Sequence, residues 1–445
     1  MFQISNLILV NSTNSVWKIT SKKFHNVDVS NFPKSIKSKE DFYFSIICVD
    51  DNVTNCNFEI KYQIIDSENN SFIIRGRYKT ELEKFDLEIH LDNLETRSHK
   101  KGSTVSLGWK PNGLIHFFLI GDVGNYIGPD INTESWMQDY SNILGELPIN
   151  KLCIPGSHDA GMSTVTWKTT LVSECNTLTQ SNDVLGQLKL GIRYFDIRPV
   201  LSDGKFFTGH YRDIIVWEGA NGESIESIVN GINLFTESHN ELIMIRLDHS
   251  LNLDVGFWHK YRPFNKTEWF DLFSQLVNIK HLYYHNGTEN ISNLTLNSLT
   301  NNGTRPAVLF FIENKKADID LEQYKNYGFF YLSELDMYHL YSNTNSAFQM
   351  GSDQIKKMKD YAPKQYFELS WILTQDPLQA STCATTLSSD IKHLANKANS
   401  KLVEYLYQHI TDTVYPNIIL IDNVRDTVAT TFALAINWKV LSYSK

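Results

Sequence analysis

Ile154-Pro155-Gly156-Ser157-His158-Asp159 is a short apolar run that delivers a His-Asp pair into a Gly/Ser turn. Turns that follow strands are where catalytic side chains are commonly displayed. The plan recurs in Ile192-Arg193-Tyr194-Phe195-Asp196-Ile197-Arg198-Pro199, a β-rich run ending in Asp and Arg, and again in Phe206-Phe207-Thr208-Gly209-His210. These three strand ends bring His158, Asp159, Asp196, Arg198 and His210, an inventory suited to acid/base chemistry on a phosphate ester.

Working outward, strand-like runs alternate with longer helical stretches, the pattern of a parallel α/β sheet. Periodicity and length predict strands at 151–155, 194–198, 206–210, 242–247, 307–312, 328–332, 367–373 and 417–421. That repeat over residues 140–445 predicts an irregular TIM-type (β/α)8 barrel, whose active site lies at the C-terminal ends of the strands. The residues at those exits are His158 and Asp159, Arg198, His210, Asp248 and His249, Glu313, Thr374 and Gln375, and Asp422 and Asn423.

Residues 1–135 read differently. Short alternating runs at 41–48, 58–65, 71–75 and 114–120, separated by Asn, Asp, Ser and Gly clusters, predict an all-β sandwich domain. The segment 124–139, with Gly128-Pro129, reads as the linker.

Composition bounds the partners. The chain has 445 residues, too many for one ordinary core, and a net charge of -9, which argues against nucleic acid as a partner. That charge also gives no general attraction to anionic membranes, so lipid contact is expected to be transient and local. No apolar stretch is long enough to span a bilayer and residues 1–12 lack the pattern of a secretory signal. The cysteines Cys48, Cys56, Cys153, Cys175 and Cys383 are scattered and odd in number, unlike a disulfide framework. A reduced, cytoplasmic setting is therefore the simpler expectation; oligomeric state is not legible.

A histidine titrates near neutral pH, and a neighbouring carboxylate orients it. Two such pairs around one phosphate would supply a base and an acid, while a guanidinium between them would stabilise charge growing on the oxygens. Blander readings stand beside these: Asp196 as the ion-pair partner of Arg193 or Arg198, and Asp422 as a turn or cap residue. His281 and His285 have helical metal-ligand spacing but no adjacent Glu. The stretch Phe257-Trp258-His259-Lys260-Tyr261-Arg262-Pro263-Phe264, followed by Trp269 and Phe270, interleaves aromatic and basic residues as a headgroup interface would, or else packs a helix onto the barrel.

Taken in order, Pro155-Gly156-Ser157-His158-Asp159, Arg193 to Arg198, His210, residues 367–375 with Trp371-Ile372-Leu373-Thr374, and 418–423 resemble the X-domain of phosphatidylinositol-specific phospholipases C. The likeness is to the bacterial and X-domain-only branches and covers residues 140–445. It implies cleavage of an inositol phospholipid to diacylglycerol and a cyclic inositol phosphate. In that reading His158 is the general base oriented by Asp422, and His210 the general acid partnered by Asp159. Asp196, Arg246, Glu313 and Trp371 are expected to contact substrate, with Arg246 pointing inward or outward according to a one-residue register. Calcium-dependent relatives place a Glu and an Asp two residues apart after the second strand; here Asp196 and Arg198 stand there, so a fixed guanidinium takes the ion's place and no metal or other cofactor is expected. The sequence departs from the family in having Tyr211, not Gly, after His210. The rival readings are a metal-dependent glycerophosphodiesterase and a catalytically silent lipid- or sugar-binding barrel. The N-terminal domain is expected to bind lipid or a partner.

Overall fold

The computed structural model describes residues 3–28, 31–50, 52–170, 172–213, 217–255, 261–313, 319–384 and 390–443. The chain forms two compact units, Met1–Asn132 with Val403–Thr413 and Leu434–Lys445, and Thr133–Leu402 with Val414–Ala433.

Alternation of apolar and polar residues is clearest at the centre of the first unit. In Asn57–Ile64, Phe58, Ile60, Tyr62 and Ile64 are buried while Asn57 and Glu59 are exposed, as a period of two requires. Six antiparallel strands form one sheet, in the order Ser35–Ile36, Trp17–His25, Asn57–Ile64, Ser71–Lys79, Lys84–Asn93 and Thr104–Gly108. A second sheet of four strands runs Leu114–Gly121, Gln3–Thr13, Glu40–Cys48 and Val27–Asp28. Apolar residues of both share one core, centred on Trp17, whose ring meets Phe72 edge-on at 5.0 Å and Phe117 at 6.0 Å.

The second unit is organised by a curled, all-parallel sheet of eight strands. In chain order these are β1 (Ile154–Ser157), β2 (Tyr194–Ile197), β3 (Leu242–Leu247), β4 (Ala307–Ile312), β5 (Phe329–Tyr331), β6 (Met337–Tyr338), β7 (Tyr366–Trp371) and β8 (Ile418–Ile421). Their spatial order is β5-β4-β3-β2-β1-β8-β7-β6, with no pairing between β5 and β6 among the described residues, so the sheet is a half-barrel. Every residue of β3, β4 and β7 is buried, the signature of strands covered on both faces.

One expected barrel strand belongs elsewhere. The run 206–210 lies in Lys205–Asp213, part of a five-stranded sheet with Pro199–Ser202, Trp217–Ser224, Trp167–Lys168 and Leu251–Asn252. Pro199 immediately follows Arg198 and opens that sheet, where a missing N–H is tolerated. The eighth barrel position is taken instead by β6, too short to leave a periodic signal.

The expected linker is also ordered. Thr133–Ser135 and Trp136–Asp139 are helical, and buried Trp136 donates through Nε1 to the Gly191 carbonyl at 2.9 Å. Of the aromatic-basic stretch, residues 257–260 lie outside the described residues. Phe264 and Trp269 are buried against each other at 5.5 Å, so these two rings pack the barrel rather than face a membrane.

The reading of scattered, unbridged cysteines is overturned. Cys48 bonds Cys56 and Cys175 bonds Cys383, while Cys153 is buried outside any bridge. The second pair is 208 residues apart, a proximity that only folding creates, and the argument from cysteines to a reducing setting falls with it. Replacing Cys175 and Cys383 by serine is expected to lower stability by about 2–4 kcal/mol, since a bridge across a long loop restricts the unfolded chain. Denaturant unfolding would measure it; an unchanged midpoint would contradict the bridge. No helix among the described residues is long and apolar enough to cross a membrane.

Candidate active site

The site grows from the ends of β1, β2 and β8. His158 and Asp159 follow β1; the His158 N–H donates to the Ile421 carbonyl at 3.0 Å, tying the exit of β1 to that of β8. Asp159 takes a left-handed backbone, φ 42°, which turns the chain sharply and which Asp tolerates better than most residues. Its N–H donates to Asp196 Oδ2 at 3.3 Å, and the Ala160 N–H to the Asp196 carbonyl at 2.8 Å.

Both histidines have carboxylate partners. His158 Nδ1 lies 2.7 Å from Asp422 Oδ1, and Nε2 lies 2.6 Å from Arg198 Nη2. A guanidinium can only donate, so Nε2 is the acceptor and Nδ1–H donates to Asp422. That leaves the basic lone pair of His158 facing Arg198. His210 Nδ1 sits 2.8 Å from Asp159 Oδ2, close enough for an ion pair although its N–H is not aligned on the oxygen. Arg198 spans the two pairs: its Nη1 lies 3.5 Å from Asp159 Oδ2 and its Nη2 3.3 Å from Asp196 Oδ2. Its Nε is buried with no hydrogen-bond partner among the described residues.

Charge is held in place by these contacts. Burial works to raise the Asp159 carboxyl, but Arg198 and then His210 outweigh it and keep Asp159 below the usual carboxylate range. Burial likewise opposes ionisation of Asp196, and Arg246 followed by Arg198 drives it far down. Burial would lower the Arg198 guanidinium, yet Asp159 and Asp196 raise it.

His158, His210 and Asp422 line one cavity of about 390 Å³, walled by Thr179, Ile372 and Pro377 among others. Successive residues of Lys205–Asp213 face opposite ways, so His210 enters this cavity while Tyr211 lines a second of about 250 Å³, with Arg198, Asp248 and Glu313. Tyr211 in the place of Gly thus points away from His210's cavity, its hydroxyl donating to Asn221 Oδ1 at 2.6 Å. Opposite, Gly219 permits the close approach: a Cβ there would lie 2.2 Å from the His210 carbonyl oxygen.

His158, Asp159, Arg198, His210 and Asp422 are therefore brought together, with Asp196 beneath them. Asp196 pairs with both Arg198 and Arg246, whereas Arg193 pairs with Glu241 at 2.9 Å. Arg246 points inward, buried below the cavities and lining neither. Glu313 lines the second cavity, 3.7 Å from His339. Trp371 stands apart: inward Ser370 puts its neighbour on the opposite face of β7, where the indole is fully buried and donates to the Ala398 carbonyl at 2.8 Å.

Sequence reasoning missed the residues that brace the site. Buried Gln180 donates through Nε2 to the His158 carbonyl at 2.8 Å and accepts from the Val424 N–H at 2.9 Å, and Thr179 donates to the Asp159 carbonyl at 2.9 Å. Both lie in the aperiodic segment 177–183, where no local pattern marks them. Tyr341 sets its ring edge-on to His158 at 5.5 Å. Among the described residues no group of three His, Cys, Asp or Glu is placed to hold a metal ion.

The protein is thus of the α/β class, with a parallel half-barrel beside whose strand ends two His-carboxylate pairs and an arginine meet. No protein-family model matches the chain. It is 24% identical over 185 residues to PI-PLC X domain-containing protein 3 of Bos taurus and of Homo sapiens, a match covering 35% of this chain and 55% of each relative. The chain spans about half the length of these curated relatives. Among solved structures, partial likeness is found to a phosphatidylinositol-specific phospholipase C variant from Staphylococcus aureus (15% identity, 69% of this chain and 97% of that chain, TM-score 0.47) and to the phosphatidylinositol-specific phospholipase C from Listeria monocytogenes (17%, 69% and 99%, 0.44). The sequence likeness is thus to PI-PLC X domain-containing proteins, over part of this chain and part of theirs.

Proposed function

We propose that this protein is a phosphodiesterase that cleaves an inositol phospholipid by a phospholipase C-type reaction. The observation that carries the reading is the Arg198 guanidinium set between His158 and the Asp159–His210 pair, with its Nε–H unclaimed among the described residues. His158, oriented by Asp422, takes the proton from the inositol 2-hydroxyl as that oxygen attacks phosphorus. Arg198 neutralises charge building on the phosphate oxygens, and His210, oriented by Asp159, protonates the departing diacylglycerol oxygen. The P–O bond to glycerol breaks as the new P–O bond closes, leaving a cyclic inositol phosphate. In this scheme Arg198 does the electrostatic work of a cation, so no metal ion or other cofactor is needed. The substrate is met by transient contact with a membrane surface, and the unit built on residues 1–135 positions the protein on that surface or on a partner.

The test is incubation with phosphatidylinositol vesicles, with and without chelator, following cyclic inositol phosphate by phosphorus NMR. Product formed equally under both conditions is expected. Product lost with chelator would favour a metal-dependent diesterase. Vesicle binding without product would favour a silent binding protein.

A further inference from the structure

Barrel interiors are ordinarily filled by layers of branched apolar side chains. Here the layer under the site is ionic. Arg246 in β3 is 1% exposed and Asp196 in β2 and Glu368 in β7 are 0% exposed. Arg246 engages Asp196 Oδ1 through Nη2 at 3.0 Å and Nε at 3.2 Å, and Glu368 Oε2 through Nη1 at 3.1 Å. Glu368 is itself held by the Tyr194 hydroxyl at 3.1 Å and the Ser370 hydroxyl at 3.3 Å. With Oδ1 taken by Arg246, Oδ2 is the oxygen left for the site: it accepts from Arg198 and from the Asp159 N–H, both at 3.3 Å, and lies 3.8 Å from His158 Nε2.

Stability alone does not account for such a layer, because replacing a buried ion pair by packed apolar residues is often neutral or favourable. Nor does Arg246 reach a ligand, since it lines neither cavity. We propose that Arg246 is a positioning residue: anchored by Glu368, it fixes the plane of the Asp196 carboxylate, and Asp196 in turn holds the Arg198 guanidinium against His158 and Asp159. This rests on the reading of Arg198 as the phosphate-facing group. Removing the cation leaves Asp196 facing Arg198, His158, Tyr341 and the Asp248–His249 pair on one side and Glu368 and Tyr194 on the other. Asp196 then takes up a proton at higher pH and releases Arg198.

The experiment compares Arg246→Met and Arg246→Lys with the unaltered protein by kcat, KM, pH profile and crystal structure. Arg246→Met is expected to lose about tenfold or more in kcat, because displacing a reacting group by about 1 Å is costly. KM should change less than kcat, because Arg198 acts chiefly on charge that builds in the transition state. The acid side of the profile should move to higher pH, and Arg198 should swing off Asp196 in the crystal. Arg246→Lys, which keeps the charge but not the fork, should fall between. A folded Arg246→Met protein with unchanged kcat, unchanged acid limb and unmoved Arg198 would overturn the proposal. If Arg246→Met does not fold, Arg246→Met/Glu368→Met removes the stranded carboxylate, and the same readings apply to it; if that also fails, unchanged kcat in Arg246→Lys overturns the proposal and a loss supports it. If the unaltered protein turns over no phosphatidylinositol, the proposed reaction fails by itself, and the position of Arg198 in the variant crystals still decides this inference.

Discussion

His158→Ala is expected to lower kcat on phosphatidylinositol by about a hundredfold or more, the contribution typical of a positioned general base. The imidazole lines the shared cavity, and because Asp422 fixes its Nδ1–H, Nε2, now accepting from Arg198, is the atom that can take a proton. Its loss also removes a partner from Asp422, which is 3% exposed, so some stability is lost as well. His158→Gln separates the two effects, because an amide can still donate toward Asp422 but cannot carry a proton away. A folded His158→Gln protein with near-normal turnover would remove His158 from the chemistry. KM is expected to change little in both variants, as the base acts in the transition state.

Arg198→Lys is expected to cost about a hundredfold in kcat, in line with the loss of a preorganised charge-stabilising group. Lysine keeps a positive charge but offers a point donor in place of a fork, and it cannot serve Asp159, Asp196 and His158 from one plane. Arg198→Ala should be worse for the fold, because it takes one cation from two fully buried carboxylates and leaves Asp196 to Arg246 and Asp159 to His210, a loss of up to about 3–5 kcal/mol. The pH dependence has a definite sign. Asp159 and Asp196 have folded pKa values depressed below their unfolded ones, so their stabilisation is complete above the unfolded carboxylate range and is lost as pH falls through the depressed values. Without Arg198 those values rise, and acid unfolding should begin at a higher pH in Arg198→Ala than in the unaltered protein. Thermal melts across the acid range would measure this, and superimposable curves would contradict the ion-pair assignment. Activity of Arg198→Ala rescued by added divalent cation but not by guanidinium would shift the reading toward metal assistance.

The structure also explains why some neighbours of the site were misread. Trp371 sits in the run 367–373 that carries the family resemblance, yet its side chain faces helix Ile391–Asn399 because alternation along β7 gives the interior to Glu368 and Ser370. Arg246 was ambiguous by one residue of register, and pairing of β3 with β2 opposite Asp196 turned it inward. Lys205–Asp213 reads as a barrel strand on propensity alone, but it pairs antiparallel with Trp217–Ser224 and Pro199–Ser202 and so delivers His210 to the cavity from outside the parallel sheet.

By itself the amino-acid order determined which segments become strands and which polar residues stand at their exits, because alternation, run length and turn chemistry act over a few neighbouring residues. His158, Asp159, Arg198 and Asp422 were legible as exit residues for that reason, whereas His210 lies within a strand of another sheet. Which strand pairs with which, which face a side chain takes, which cysteines meet, and that Gln180 and Arg246 brace the site were decided only in three dimensions. Those outcomes depend on register and on contacts between segments far apart in the chain, and a local pattern carries no record of either.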